Sequence, residues 1–308
     1  MTAYNKPSVA ESEVEDVVKA HLGSIATEIM PMDGGNLSSV FSFNHEGKGH
    51  VIKFSDLEGA YATERFLSEL LSGQGIPYPR CLGQGKHGNL AYVIMERIDG
   101  RSLAACTPEQ QAGQLPELID ILTRLNQVDI GFTSGYGWIG PDGNGKHRTW
   151  KDYLTASFAE DQTGTFWENW HGLFRSTCLE RDVFDECYSR LMAYAPYNEP
   201  HRHFIHGDFH QWNILSSGTR ITGIIDGNCA YGDDLVDLAV LDRHMAALGV
   251  VRAYQDYQEQ AGMTIPDFKE RLLGAYYMKG LDGLRFYAKM GWTDAYNGTR
   301  DFLLRLDS

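Results

Sequence analysis

The chain has 308 residues, 43% of them apolar, enough for one large domain or two modest ones with a substantial core. Its formal charge of −14 disfavours nucleic acid and anionic membrane as partners and favours cationic ligands, and no stretch approaches the ~18 consecutive apolar residues of a membrane-spanning helix. The start, MTAYNKPSVAESEVEDVV, lacks the basic patch and apolar run of a signal peptide, and the five cysteines (Cys81, Cys106, Cys178, Cys187, Cys229) include no C-x-x-C pair. A cytoplasmic protein with free thiols and no zinc site is expected.

In chain order, VAESEVEDVVKAHLG spaces its apolar residues at helical intervals, with acids near its start and Gly23 after it, which predicts a helix of about 12 residues. SIATEIMPM reads as a strand, DGGNLSS as a turn, VFSFN as a second strand, HEGKG as a turn and HVIKFS as a third strand. Residues 58–71 carry Phe66, Leu67, Leu70 and Leu71 on one helical face, and SGQGIPYP ends that helix. CLGQG and LAYVIMERI are two further strands, and DGRSL breaks the pattern, so the boundary between parts falls near Asp99 and Gly100, giving 1–99 and 100–308. Beyond it, PEQQAGQLPELIDILTRLNQV and residues 150–160, 181–193 and 234–248 have helical spacing, while the glycine-rich, aromatic stretch 131–150 reads as a long loop. The expected class is α+β: a small strand-rich part, then a larger helical one.

The stretch HGDFHQWNIL, residues 206–215, carries the first chemistry. Asp208 could accept a hydroxyl proton, and Asn213 could offer its carbonyl oxygen to magnesium, which prefers a few oxygen ligands plus water. In RITGIIDGNCAYGDDLVDLA a strand runs into Asp226, so that Asn213-Ile214-Leu215 and Ile224-Ile225-Asp226 can pair as a hairpin with two metal ligands at one end. Lys53 lies on the third strand, where phosphoryl transfer from ATP places a phosphate-binding lysine; Glu64 on the next helix is its expected partner, with Glu69 the alternative. Gly34, Gly35, Ser38 and Ser39, in the turn between the first two strands, could cradle phosphates through backbone amides and hydroxyls. Each feature alone has a commoner explanation, a D-G turn or a solvated strand lysine. Their order along the chain points to a kinase.

These segments resemble the aminoglycoside phosphotransferase family, in which HGD opens the catalytic loop and IDxxxAxxGDPxxDLA follows; here they read HGDFHQWN and IDGNCAYGDDLVDLA. The resemblance covers nearly the whole chain, including GIPYPRCLGQG, and TSGYGWIGPDGNGKHRTWKDYL is most similar to hygromycin B phosphotransferases. It implies a protein-kinase-like bilobal fold, with ATP and Mg2+ as cofactors. Asp208 would be the catalytic base, Asn213 and Asp226 the magnesium ligands, Lys53 the phosphate-binding lysine, and Glu96, Arg97 and Ile98 the hinge facing adenine. Asp237 would support the catalytic loop. Three positions depart from the pattern: Asp234 stands for the usual proline, Gly227 for a frequent tryptophan, and Trp212 for glycine or asparagine. A cationic acceptor would be met by acids drawn from Asp129, Glu160, Asp161, Asp233, Asp234 and Asp282, with Asp129 favoured by the hygromycin-type resemblance, and by Trp212 beside Asn213. Alternatives are a kinase of choline, a sugar, a fructosamine or a macrolide, or a catalytically inactive nucleotide-binding protein of the same fold; a monomer or weak homodimer is expected.

Overall fold

In the computed structural model, which describes residues 4–306, α1 (Glu11–Leu22) starts where the Glu13 carboxylate accepts the Ala10 N–H and stops at Gly23, in left-handed backbone. Next come β1 (Thr27–Met32), β2 (Ser39–His45), β3 (Lys48–Ser55), α2 (Glu64–Gly73), β4 (Cys81–His87) and β5 (Leu90–Glu96). The strands form one antiparallel sheet in the order β1-β2-β3-β5-β4, with Lys53 between Val40 and Val93. Alternation along β3 sends Ile52 and Phe54 into a core with Val14, Val17 and Val18 of α1, so Lys53 faces the other side, toward the rest of the molecule. Helix α2 begins at Glu64 rather than at residue 58, because Gly59 and Tyr61 adopt φ of 73° and 62°, which an α-helix cannot contain.

The larger part contains β6 (Arg101–Ser102), α3 (Pro108–Asn126), β7 (Tyr136–Ile139), β8 (Gly145–His147), α4 (Trp150–Ser157), α5 (Leu173–Ser176), α6 (Arg181–Asn198) and β9 (His203–Ile205). It continues with β10 (Ile214–Ser216), β11 (Ile221–Ile224), β12 (Ala230–Gly232), α7 (Leu235–Met245), α8 (Val250–Gln260), α9 (Phe268–Met290) and α10 (Thr293–Arg305). The start of α3 is set locally: Pro108 needs no N–H partner in the first turn, and the Thr107 hydroxyl accepts the Gln110 N–H. The segment expected to be a loop instead holds the β7/β8 hairpin, and β7 continues through β12 to β9 in one sheet. Glycine disguised it; a Cβ on Gly135 would lie 2.2 Å from the Gly145 carbonyl oxygen, so the strands approach too closely for any larger residue.

The β10/β11 hairpin pairs Ile214 with Ile224, and the Ile225 N–H donates to the Asn213 carbonyl at 2.9 Å, so Asn213 and Asp226 leave the same end of the hairpin. On its other edge β10 pairs with β6, the first element after the small sheet. One continuous core runs from Leu67, Leu71, Val93 and Met95 into α3, α4, α6, α7 and α9, and fixes the sheet against the helical part. Among the described residues no helix is long and apolar enough to cross a membrane, and the five cysteines are free.

Candidate active site

The catalytic loop is suspended from a buried acid. Asp237, near the start of α7, accepts the His206 N–H at 2.8 Å and the Asn126 amide at 2.9 Å on Oδ2, and the Gly207 N–H at 2.7 Å on Oδ1. Burial pushes its carboxyl up to about 6, against the pull of those three donors. Gly207 has φ of 75°, and a Cβ there would lie 2.3 Å from the Asn228 carbonyl oxygen, so only glycine fits between His206 and Asp208. His206 is fully buried; its Nε2 reaches the Ile225 carbonyl at 3.1 Å, its Nδ1 has no partner, and burial pulls its pKa down to about 4.

So held, Asp208 keeps 43% of its side chain accessible, enough to meet a substrate. Burial works to raise its pKa, but His210, whose Nε2 lies 3.3 Å from Oδ2, with Lys279 and His206 behind it, outweighs burial and holds the carboxyl at about 2. The Asn213 amide nitrogen donates to Asp208 Oδ2 and to the Asp208 carbonyl, each at 3.0 Å, and to the Asp226 carbonyl at 3.3 Å. That orientation leaves Asn213 Oδ1 as the atom available to a cation. Asp226, at φ of 59°, directs its carboxylate into the cleft, where it contacts the Lys53 ammonium. Among the described residues no group of three or more His, Cys, Asp or Glu could hold a metal unaided. Two oxygen donors at one hairpin end fit magnesium, which is bound by one or two protein ligands together with phosphate and water.

Lys53 therefore meets Asp226 directly. Glu64 acts on it through charge and accepts the Tyr78 hydroxyl at 3.2 Å. Burial lowers the Lys53 pKa to about 8 against the charge of Glu64, and the touching Asp226 carboxylate adds a second opposing charge. Burial also raises the carboxyl of Glu64, against the opposing charge of Lys53.

Other predicted positions are used differently. In the glycine turn Gly34 and Gly35 adopt φ of 126° and 66°; the Ser39 hydroxyl donates to the Pro7 carbonyl, whereas the Ser38 hydroxyl accepts from Tyr61 at 2.7 Å and keeps its own O–H to donate. Along the hinge the Glu96 and Arg97 N–H groups donate to the Arg80 and Gly49 carbonyls, which leaves the Ile98 N–H without a backbone acceptor among the described residues. Asp233 is completely buried, held by Arg271 at 2.8 Å and by Asn198 at 2.7 Å; Asp234 bonds Arg271 at 2.7 Å and Tyr254 at 3.2 Å. Both are structural acids rather than acceptor ligands. Asp129 accepts the Gly131 N–H and lies against Gln74, and the 53% exposed Trp212 sits edge-on to His210 and His244.

A small cavity beside the catalytic loop, about 20 Å³ and so no larger than a water or two, is lined by Gly207, Asn228, Trp138, Tyr153, Lys279 and Asp282, among others. Of the six acids considered, only Asp282 lies there. Lys279 on α9 donates to the Gly207 carbonyl at 2.7 Å. It has no local motif; only the packing of α9 under the loop reveals it.

The model of the phosphotransferase enzyme family matches residues 28–287. The chain is 26% identical over 236 residues to hygromycin-B 4-O-kinase from Escherichia coli, spanning 76% of this chain and 67% of that relative. In fold it is similar to a thermostable mutant of aminoglycoside phosphotransferase APH(4)-Ia in ternary complex with AMP-PNP and hygromycin B (TM-score 0.79, 24% identity, 96% of this chain and 99% of that one). It is also similar to spectinomycin phosphotransferase in complex with ADP and spectinomycin (TM-score 0.63, 12% identity, 98% and 99% covered).

Proposed function

The chain belongs to the phosphotransferase enzyme family, and on that footing we propose that it transfers the γ-phosphate of ATP to a hydroxyl of a hygromycin B-like aminoglycoside. One observation carries this reading: Lys53 of the small sheet meets Asp226 of the helical part, within a hydrogen-bonded chain through Asn213 to Asp208. Asp208, ionised at neutral pH, orients the acceptor hydroxyl and receives its proton as the new oxygen–phosphorus bond forms and the bond to the ADP oxygen breaks. Lys53 neutralises phosphate charge, the Gly34–Gly35 turn offers backbone amides, and the Ile98 N–H faces adenine. Asn213 and Asp226 would hold the magnesium that accompanies ATP, whose charge offsets that of the phosphates. The same reading makes the protein cytoplasmic, monomeric or weakly dimeric, and divided at residues 99 and 100.

The alternative is a kinase of an uncharged polyhydroxyl compound such as a sugar or macrolide, which the same catalytic residues would serve. A coupled ADP-release assay against aminoglycosides, sugars and macrolides decides. Turnover with hygromycin B supports the first reading, turnover confined to neutral acceptors supports the second, and none with any acceptor defeats both.

A further inference from the structure

Asp208 has the ring of His210 beside its carboxylate. His210 Nε2 lies 3.3 Å from Asp208 Oδ2, the same oxygen that takes the Asn213 amide, while Oδ1 accepts no hydrogen bond among the described residues. The backbone of His210 is fixed on both sides: its N–H donates to the Asp208 carbonyl at 3.0 Å and its carbonyl accepts the Asn213 N–H at 2.9 Å. The ring itself is walled edge-on by Trp212 and His244, with centroids 5.4 and 4.9 Å away, and those two rings meet each other at 5.3 Å. Its Nδ1 is buried without a hydrogen-bond partner. A buried N–H with no acceptor is rarer and costlier than a bare lone pair, so the ring proton belongs on Nε2, the nitrogen 3.3 Å from the carboxylate.

We propose that His210 is a positioning residue: with its proton on Nε2, it holds Asp208 Oδ2 toward Asn213, so that Oδ1 alone is presented to the acceptor hydroxyl. This rests on the phosphotransfer reading of the site. His210 need touch neither acceptor nor nucleotide; it removes the rotation by which the carboxylate would present its oxygens in varying directions, and Trp212 and His244 keep the ring from swinging away. The competing account is that the ring only fills space in the loop.

Two variants separate them. His210→Phe keeps a ring between Trp212 and His244 but has no donor, whereas His210→Gln can place an amide N–H near the position of Nε2. With an active acceptor, H210F should lower kcat about tenfold or more and leave both KM values within about twofold, and H210Q should recover most of the loss. Unchanged kcat in H210F, or equal losses in the two variants, overturns the proposal. A measurement needing neither acceptor nor a folded variant is the 1H–15N correlation of the histidine rings in the wild-type protein. It should show a protonated Nε2 and a bare Nδ1 at His210; the opposite tautomer overturns the assignment. Absence of turnover in the wild type would count against the function reading, and the tautomer would still decide this one.

Discussion

Replacing Asp237 by alanine should release the catalytic loop. Its two oxygens together accept N–H groups from His206, Gly207 and Asn126, at 2.7 to 2.9 Å, and all three donors lose their acceptor at once. At about 1 to 2 kcal/mol for each orphaned buried donor, the expected loss is about 3 to 6 kcal/mol, close to the range for breaking a buried charged network. That is a large part of the ~5–15 kcal/mol that holds a typical domain folded. Urea denaturation reads it directly. With an m-value of about 3 kcal/mol/M, the midpoint should fall by about 1 to 2 M. Because His206 and Gly207 lead straight into Asp208, turnover in undenatured protein should fall as well. Asp237→Asn keeps one acceptor oxygen and should lose about half as much. A midpoint within about 0.2 M of wild type, with normal turnover, would show that the Lys279 bond to the Gly207 carbonyl holds the loop unaided, and the reasoning would be wrong.

The buried His206 ring binds its proton more weakly in the fold, about 4 against an ordinary 6.5. Its contribution is therefore complete above pH 6.5 and lost as pH falls toward about 4, some 3 kcal/mol in all at ~1.4 kcal/mol per unit. In urea titrations His206→Phe should remove that part of the acid destabilisation between pH 7 and pH 4, and a parallel pH dependence in both proteins would contradict it. Asp234 has φ of −58°, which already suits the proline common in the family. Asp234→Pro should cost the Arg271, Tyr254 and His203 contacts, about 1 to 2 kcal/mol by denaturation, with turnover retained; a loss above about 4 kcal/mol would mean that the backbone is constrained in another way. Lys279→Met should lower kcat about tenfold while shifting the unfolding midpoint little, and an unchanged kcat would remove Lys279 from the site.

The parts of the site that could be read from sequence are those set by local pattern. Alternation in HVIKFS turns Lys53 away from the α1 core, and the short β10/β11 hairpin brings Asn213 and Asp226 to one end. Features made by distant packing left no such trace. Helix α9 is apolar on several faces and contains Gly274, Gly280 and Gly283, which weaken its helical signal. Those glycines serve contact: a Cβ on Gly274 would lie 2.1 Å from Asn198 Oδ1, and one on Gly280 would lie 2.4 Å from Leu303. Lys279 and Asp282 went unplaced with the helix that carries them. The Asp233-Asp234 pair looked like an acidic surface because Arg271, which neutralises it, comes from that same helix. His210 is local, but its setting depends on His244 of α7 arriving beside it.

The central claim is that Lys53 and Asp208 serve one transfer from opposite walls of a cleft. Calorimetric titration of Mg-ATP into wild type, Lys53→Ala and Asp208→Ala, with mass spectrometry of the acceptor, tests it in one series. The account predicts that D208A binds nucleotide like wild type yet yields no phosphorylated product, whereas K53A binds weakly. Phosphorylated acceptor appearing at the wild-type rate with D208A would contradict it.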